Sequence, residues 1–136
     1  MLEDPCPCFS QKSYRRCCRP YHIGEILPEL PQQLMRARFA AYALGKCDFI
    51  YDSSSKSLLA REGLNPADFK GSVKAFSEST DFIGLEIIEA EGDLVTFIAR
   101  LKDKTSGQDM SFKEKSYFIK EGEKWVYDSG EPSRLA

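Results

Sequence analysis

The chain has 136 residues, 29% of them charged, and a formal net charge of −2 at pH 7. This length suits one domain with a small appendage. The mildly acidic balance provides no general electrostatic attraction to nucleic acid, so a nucleic-acid partner is not expected. No stretch is long and apolar enough to span a bilayer, and the acidic start differs from the basic start of a secretory signal. We therefore expect a cytoplasmic protein that does not insert into a membrane.

Four of the five cysteines lie close to the N-terminus, spaced as C-x-C, then eight residues, then C-C. Cys17 and Cys18 are poorly placed to pair with each other, because neighbouring Cα atoms are closer together than an ordinary disulfide requires. Crossed disulfides to Cys6 and Cys8 remain open, but they need an oxidising compartment. Four thiolates suit a closed tetrahedral zinc site. The spacing therefore favours one structural zinc ion held by these four cysteines.

Basic residues surround the second cysteine pair: Lys12, Arg15, Arg16 and Arg19. These cations would offset the negative charge of a zinc tetrathiolate, because nearby positive charge favours the thiolate form. They would also suit an acidic protein partner. The sequence leaves both interpretations open, and these residues are the candidate partner-binding side chains.

Helical patterns follow the cysteine-rich segment. Residues 23–31 are typical of an extended linker, since they contain glycine and proline. Pro31 then opens a run in which apolar residues recur at three- and four-residue spacing until Gly45, which predicts a helix. Further short helices are predicted over 49–53, with Asp48 as the cap, over 57–61, and from Asn65-Pro66 to about residue 76.

From Phe82 onward the apolar residues alternate with a period of two, which is typical of strands. Short turns divide this region into an antiparallel meander of four predicted strands. The first two strands have these predicted apolar faces: Ile83, Leu85 and Ile87, then Val95, Phe97, Ala99 and Leu101. Helices followed by strands imply an α+β fold with the helices on one face of the sheet.

Two segments carry a resemblance to known proteins. The first is Cys6-Pro7-Cys8-Phe9-Ser10 with Tyr14-Arg15-Arg16-Cys17-Cys18-Arg19-Pro20-Tyr21-His22, which resembles the SEC-C motif, the zinc-binding tail of the bacterial preprotein-translocase ATPase. The second segment is Leu34-Met35-Arg36-Ala37-Arg38-Phe39. Taken together, the two segments are similar to those of the YchJ-like proteins. The resemblance implies a SEC-C motif over 1–22, a linker over 23–31 and a nuclear transport factor 2-like domain over 32–136. In that fold a bent sheet forms a cone around a long N-terminal helix.

The resemblance also implies that the motif's terminal ligands correspond to Cys6, Cys8, Cys17 and Cys18. The chain departs from the motif at Phe9 and Gln11, where the motif usually or often has glycine. Glycine permits a positive φ angle. Phe9 therefore implies either a different turn or a strained backbone that is tolerated.

The evidence for an active site in the sequence is weak. No glycine-rich phosphate loop, Ser–His–Asp set or H-E-x-x-H motif occurs. For the one histidine, His22, a structural or surface role is expected, and the isolated Cys47 is expected to be a core thiol. Arg36 is expected either to point into the mouth of the cone and bind an anion, or to be solvated or paired with acidic residues of the sheet. The candidate pocket carboxylates are Asp48, Asp52 and Asp128.

The leading hypothesis is a non-enzymatic zinc protein whose SEC-C motif is a docking module on an α+β scaffold. The resemblance implies protein partners, because the SEC-C tail of the translocase ATPase engages an acidic export chaperone and the ribosome. Formation of a homodimer is left open. The alternative is a small-molecule-binding or catalytic cone with a purely structural zinc knuckle. That alternative requires a pocket with convergent polar groups, and a cone filled by its own aromatic side chains would argue against it.

Overall fold

Helices precede a sheet in the structure, a computed structural model that describes residues 2–135. The helices are α1 (Arg19–His22), α2 (Pro31–Leu44), α3 (Cys47–Asp52), α4 (Lys56–Glu62) and α5 (Pro66–Ser79). The strands are β1 (Thr80–Glu91), β2 (Leu94–Asp103), β3 (Phe112–Glu121) and β4 (Lys124–Ser133). This order confirms the predicted α+β fold. Among residues 2–135, no helix is both long and apolar enough to cross a membrane.

The long helix α2 begins and ends where the sequence predicts. Proline occupies its first position, where the missing N–H costs nothing, and Gly45 ends it in the left-handed conformation with φ 71°. Helix α5 likewise begins after Asn65, whose side chain accepts a hydrogen bond from Asp68 N. The predicted cap of α3 is wrong. That helix starts at Cys47, and Asp48 lies in its first turn with its carboxylate 2.9 Å from Lys70 Nζ.

The strands form one antiparallel sheet in the order β1-β2-β3-β4, which confirms the meander. The predicted apolar face of β2 is buried in full. Strand β1 differs, because Ile83 is 52% exposed and Phe82 packs against the core instead. The register shift between Phe82 and Gly84 causes this difference, since an extra residue in a strand reverses the faces beyond it.

The main core lies between α2 and one face of the sheet. Leu34, Met35 and Phe39 of α2 pack with buried residues of the first three strands, among them Phe97 and Phe118. Burial of an aliphatic or phenylalanine side chain contributes about 1.5–3 kcal/mol. Helix α2 is therefore the element that the sheet holds most directly.

Candidate metal centre and cavity

The N-terminal segment, residues 2–22, forms a compact unit that we call the knuckle. A bridge between Pro5 and Ser13 and a hydrogen bond from Cys6 N to Lys12 O, 2.8 Å long, close a turn that carries Cys6 and Cys8. A single 3-10 turn, Tyr14–Arg16, then brings the second cysteine pair back against the first. The knuckle thus assembles its sulfur atoms from two short backbone turns.

The four cysteine sulfurs, those of Cys6, Cys8, Cys17 and Cys18, lie within 4.8 Å of one another. Cys8 Sγ is 3.5 Å from Cys17 Sγ, and Cys17 Sγ is 3.9 Å from Cys18 Sγ. These separations are too long for disulfides, whose sulfurs are about 2.05 Å apart. A tetrahedral metal with bonds of about 2.3 Å to sulfur places its ligands roughly 3.8 Å from one another. The cluster therefore fits a metal ion with four sulfur ligands.

The backbone around Cys8 is held in an unusual conformation. Phe9 has φ 63° and Gln11 has φ 74°, and both angles lie in the left-handed region that favours glycine. These are the two positions at which the SEC-C motif usually or often has glycine. The turn therefore has the conformation that glycine would permit, and the strain is tolerated. The ring of Phe9 packs edge-on against Phe39 of α2 at 6.1 Å, which gives its side chain a compensating contact.

The crowded sulfurs divide into thiolates and thiols when no cation is bound. The hydrogen bond with Cys17, with further bonds from Cys18 and Cys6, lowers the pKa of Cys8 below its ordinary value. The bond with Cys18 lowers the pKa of Cys17 to about 7. The same bonding raises the pKa of Cys18, which keeps its proton. A divalent cation favours the thiolate form at all four positions, so metal binding should release protons and weaken as the pH falls.

The four candidate docking cations are not equivalent. Arg15 Nε lies 2.6 Å from Glu3 Oε1, which makes it an exposed ion pair. Arg19 is half-buried, whereas Lys12 and Arg16 are exposed. Among the described residues, no ion pair includes Lys12, Arg16 or Arg19. Lys12 and Arg16 therefore offer the most accessible positive charge on the knuckle.

The knuckle is anchored on α2. Arg36 Nη1 donates a 2.9 Å hydrogen bond to the carbonyl of Cys8. In the described part of the chain the half-buried Arg36 forms no ion pair, so the expected pairing with acidic residues of the sheet is not found there. His22 Nε2 lies 2.7 Å from the carbonyl of Ala37, which can only accept, so Nε2 carries the proton. Its Nδ1 then accepts from the buried Tyr14 hydroxyl at 2.7 Å. Burial also lowers the pKa of His22, which keeps the ring neutral and suits this bridging role.

A cavity of about 650 Å³ opens beside α2, next to residues such as Arg38 and Tyr42 that do not hold the knuckle. Its walls are mostly apolar, and they include Phe39, Phe76, Phe82, Phe97 and Phe112. Two further aromatic residues of the sheet, Phe118 and Trp125, are not part of its lining. Phe118 is wholly buried in the core, and Trp125 Nε1 donates to the carbonyl of Glu29.

The polar groups of the cavity are not the ones that the sequence indicated. Asp48, Asp52 and Asp128 are absent from its lining, and Asp128 Oδ1 instead accepts from Ser55 Oγ at 2.7 Å. The cavity is lined by Arg38 and Glu114, which sequence reasoning did not single out for it. The apolar periodicity of α2 places Arg38 on its inward face, and that of β3 does the same for Glu114. This periodicity is the feature of the sequence that could have indicated them.

These polar groups form a network around one tyrosine. The Arg38 guanidinium lies 4.6 Å above the Tyr127 ring, and Tyr127 Oη donates a 2.8 Å hydrogen bond to Glu114 Oε2. Burial raises the pKa of Tyr127, so the hydroxyl keeps its proton and remains a donor. Gly130 on β4 leaves room for this contact, because a Cβ there would collide with Glu114 Oε2 and Tyr127 Oη. The cavity thus has the convergent polar groups that the small-molecule alternative requires.

The fold and the site together define a class: a SEC-C type cysteine knuckle on an α+β body of the nuclear transport factor 2-like kind. The YchJ middle NTF2-like domain family matches residues 30–130. The chain belongs to this YchJ family.

Relatives and solved structures agree with this assignment. A UPF0225 protein of Deinococcus radiodurans is 38% identical over 123 residues, which is 90% of this chain and 85% of the relative. A UPF0225 protein of Serratia proteamaculans is 32% identical over 144 residues, or 99% of this chain and 90% of the relative. A SEC-C motif containing protein from Rhodopseudomonas palustris has a solution structure with a TM-score of 0.78 and 30% identity, covering 98% of this chain and all of that one. The crystal structure of a SEC-C motif containing protein from Psychrobacter arcticus shares the fold, with a TM-score of 0.68. It is 23% identical and covers 95% of this chain and 84% of that one.

Proposed function

We propose that this chain is a non-enzymatic cytoplasmic zinc protein in which the knuckle docks a protein partner and the α+β body is the scaffold. The observation that carries the proposal is a complete set of four clustered cysteine sulfurs beneath exposed cations. Four protein ligands complete a tetrahedral zinc site, whereas a catalytic zinc keeps one position for water. A reducing cytoplasm keeps such thiols available to a metal.

Zinc is the metal that this donor set favours. Thiolate ligands are soft, and a tetrahedral set of four is typical of structural zinc. The half-buried Cys17 Sγ also lies 3.0 Å from Ser10 Oγ, a contact that orients a ligand from outside the sulfur cluster. This arrangement supports a closed structural site.

We expect one zinc ion per chain in protein purified without added metal, measured by native mass spectrometry. Cys17→Ser should lose the metal, because three thiolates hold zinc far more weakly than four do. Cys47→Ser is the matched control, since Cys47 packs in a separate cluster with Ile50 and Val73 and should leave the metal content unchanged. Full zinc content in Cys17→Ser would overturn the assignment.

The docking proposal depends on charge at the knuckle surface. Lys12 and Arg16 present exposed cations, and neither makes an ion pair within residues 2–135. An acidic protein segment would supply the missing partners, and such pairing weakens as salt rises because exposed charges are screened. The partner chemistry proposed is an acidic protein surface of the secretion apparatus, such as an export chaperone. The ribosome is the other partner that the SEC-C resemblance suggests.

The docking test measures binding of the zinc-loaded protein to purified export chaperone and to purified ribosomes. The double variant Lys12→Glu, Arg16→Glu should weaken binding, and the wild-type affinity should fall as salt is raised. The matched control is Lys113→Glu, Lys115→Glu, which makes the same charge change at exposed positions of β3. Equal losses in the two double variants, or no loss in either, would contradict a docking role for the knuckle.

A further inference from the structure

Arg38 is a buried cation without an acidic partner in the described structure. Arg38 is 5% exposed, and none of the ion pairs within residues 2–135 includes it. Its Nη1 donates to the carbonyl of Ile50 at 3.2 Å and to the hydroxyls of Ser53 at 2.7 Å and Ser54 at 3.3 Å. These acceptors are neutral, and Glu114 attracts the charge without forming an ion pair with it. An unpaired buried charge is costly in a folded protein.

The guanidinium also has unused donors. It carries five N–H groups, and within residues 2–135 the hydrogen bonds of Arg38 all leave from Nη1. In this part of the chain, the fully enclosed side-chain atoms without a hydrogen-bond partner are two oxygens, Ser13 Oγ and Thr80 Oγ1. The Nε and Nη2 atoms of Arg38 also have no partner there but are not among these enclosed atoms, so they are in contact with accessible space. That space is the cavity, because Arg38 lines it.

Glu114 does not neutralise this charge directly. It lies at the hydroxyl end of Tyr127, whereas the guanidinium lies over the face of that ring. Its Oε2 atom already accepts from Tyr127 Oη at 2.8 Å and from Ser116 Oγ at 2.5 Å.

The lining of the cavity also includes Arg61 and Glu62, but both are exposed, and Arg61 already contacts the Asp128 carboxylate and carbonyl. Arg38 is therefore the buried cation of the cavity that still has free donors, and Glu114 is a half-buried carboxylate that is already satisfied.

The remaining wall specifies the rest of a ligand. Phe82 packs edge-on against Phe39 at 5.5 Å and against Phe76 at 5.9 Å, and Phe97 packs against Phe112 at 6.0 Å. All of these rings line the cavity. A volume of about 650 Å³ is in the range of pockets that enclose small organic molecules. Such walls favour an apolar body, often planar, over a sugar or a nucleotide.

We propose that this cavity binds a small amphipathic anion, with its carboxylate or comparable acid group on Arg38 and its apolar body against the phenylalanine rings. This site goes beyond the proposed docking function, because it lies in the body and uses none of the knuckle residues. A bidentate acid group would meet the free Nε and Nη2 donors, which is the usual way in which arginine binds a carboxylate.

The test uses two fluorescent probes that share a ring system, anilinonaphthalene sulfonate and its uncharged counterpart N-phenylnaphthylamine. Wild-type protein should bind both probes at one site. Arg38→Met should weaken the sulfonate about tenfold or more, because a buried charge-assisted contact is lost, and should leave the neutral probe nearly unchanged. The control is Arg100→Met, an exposed arginine whose guanidinium pairs with Glu86 and which should alter neither affinity. Equal weakening of both probes by Arg38→Met would overturn the proposal.

A second measurement needs no substitution at Arg38, whose hydrogen bonds also support the fold. Decanoate and decanol are matched amphiphiles that differ in charge, and each is used to displace N-phenylnaphthylamine from wild-type protein. Decanoate should displace the probe at a concentration about tenfold or more below that of decanol. Ala99→Leu fills the cavity wall and should abolish the binding of both fluorescent probes while the circular dichroism remains native. Equal potency of the two amphiphiles, or unchanged probe binding in Ala99→Leu, would contradict an anion site in this cavity.

Discussion

Two residues in the turn that follows Cys8 show how the knuckle tolerates backbone strain. Phe9 and Gln11 both have positive φ angles, where a Cβ atom meets the following carbonyl. Phe9 recovers part of the cost by packing on Phe39, whereas the side chain of Gln11 is exposed. The two positions therefore differ in what a glycine would gain. Gln11 is the one at which nothing is lost by removing the side chain.

We expect Gln11→Gly to stabilise the metal-loaded protein by about 1 kcal/mol, because it removes the left-handed penalty. Thermal unfolding of the zinc-loaded forms measures the effect. Lys12→Gly is the matched control, since Lys12 is not among the residues with positive φ and should lose stability as ordinary glycine substitutions do. A lower midpoint for Gln11→Gly would show that the turn is not strained at this residue.

The cysteine cluster that could hold a metal was found from the sequence, whereas the meeting of the cavity residues was not. Cys6 and Cys17 belong to a short motif whose spacing alone brings the sulfurs together. Arg38 and Glu114 are far apart in the chain, and they line the same cavity because α2 lies across the sheet. The local periodicity places each of them on an inward face, but no local pattern shows that the two side chains line one cavity. The hydrogen bonds of His22 to Tyr14 and to the carbonyl of Ala37 agree with a structural role, and these partners follow from the fold alone.

Among the elements, the pairing of β3 with β4 controls the polar side of the cavity. Gly130 pairs with Ser116 in the ladder, and a register shift lies between Tyr117 and Phe118. The absence of a Cβ at Gly130 allows Tyr127 and Glu114 to meet above the strand. One glycine therefore permits the hydrogen bond that fixes the Tyr127 ring under Arg38.

Gly130→Ala should destabilise the protein by about 1–3 kcal/mol, because the new methyl group displaces Glu114 or Tyr127 from their hydrogen bond. Urea unfolding followed by circular dichroism measures the change. Gly71→Ala in α5 is the control, since a Cβ there meets nothing within 4 Å. That substitution should stabilise the helix by about 0.5–1 kcal/mol. Equal stability of Gly130→Ala and wild type would mean that the network has room to rearrange.

The same sheet shows why strand faces were predicted only in part. No register shift interrupts the pairing of β2 with β3, so the apolar face of β2 followed from the sequence. Strand β1 has a second register shift between Ile87 and Glu89, in addition to the one after Phe82. Bulges are set by pairing with the neighbouring strand. An alternation count along one strand therefore does not locate them.

At the scale of the whole molecule, the knuckle and the body share buried surface. Tyr14, Cys8 and Cys18 form one cluster with Ala37 and Ala40 of α2, and the two alanines are fully buried. A segment as short as the knuckle buries too little surface to fold without a staple. Loss of the metal should therefore reach beyond the knuckle.

Removal of the metal by a chelator should lower the thermal midpoint of the entire protein, by about 8 °C or more. Lost packing of this kind costs about 2 kcal/mol or more, and each kcal/mol corresponds to roughly 4 °C in a chain of this size. Hydrogen exchange should show faster exchange of amides in α2 as well as in the knuckle. The chelator should have no further effect on Cys17→Ser, which serves as the control. Unchanged protection of α2 after metal removal would show that the two parts are energetically independent.

Helix α2 connects two sites that otherwise have nothing in common. Arg36 and Ala37 hold the knuckle, and Arg38 and Phe39 line the cavity, so four consecutive residues serve both. If loading of the metal orders this helix, it also orders the wall of the cavity and raises the affinity for an occupant. Thermodynamic reciprocity then requires the occupant to raise the affinity for the metal by the same factor. A protein built in this way would retain its metal best when its cavity is filled, and its metal content would report the supply of a small molecule.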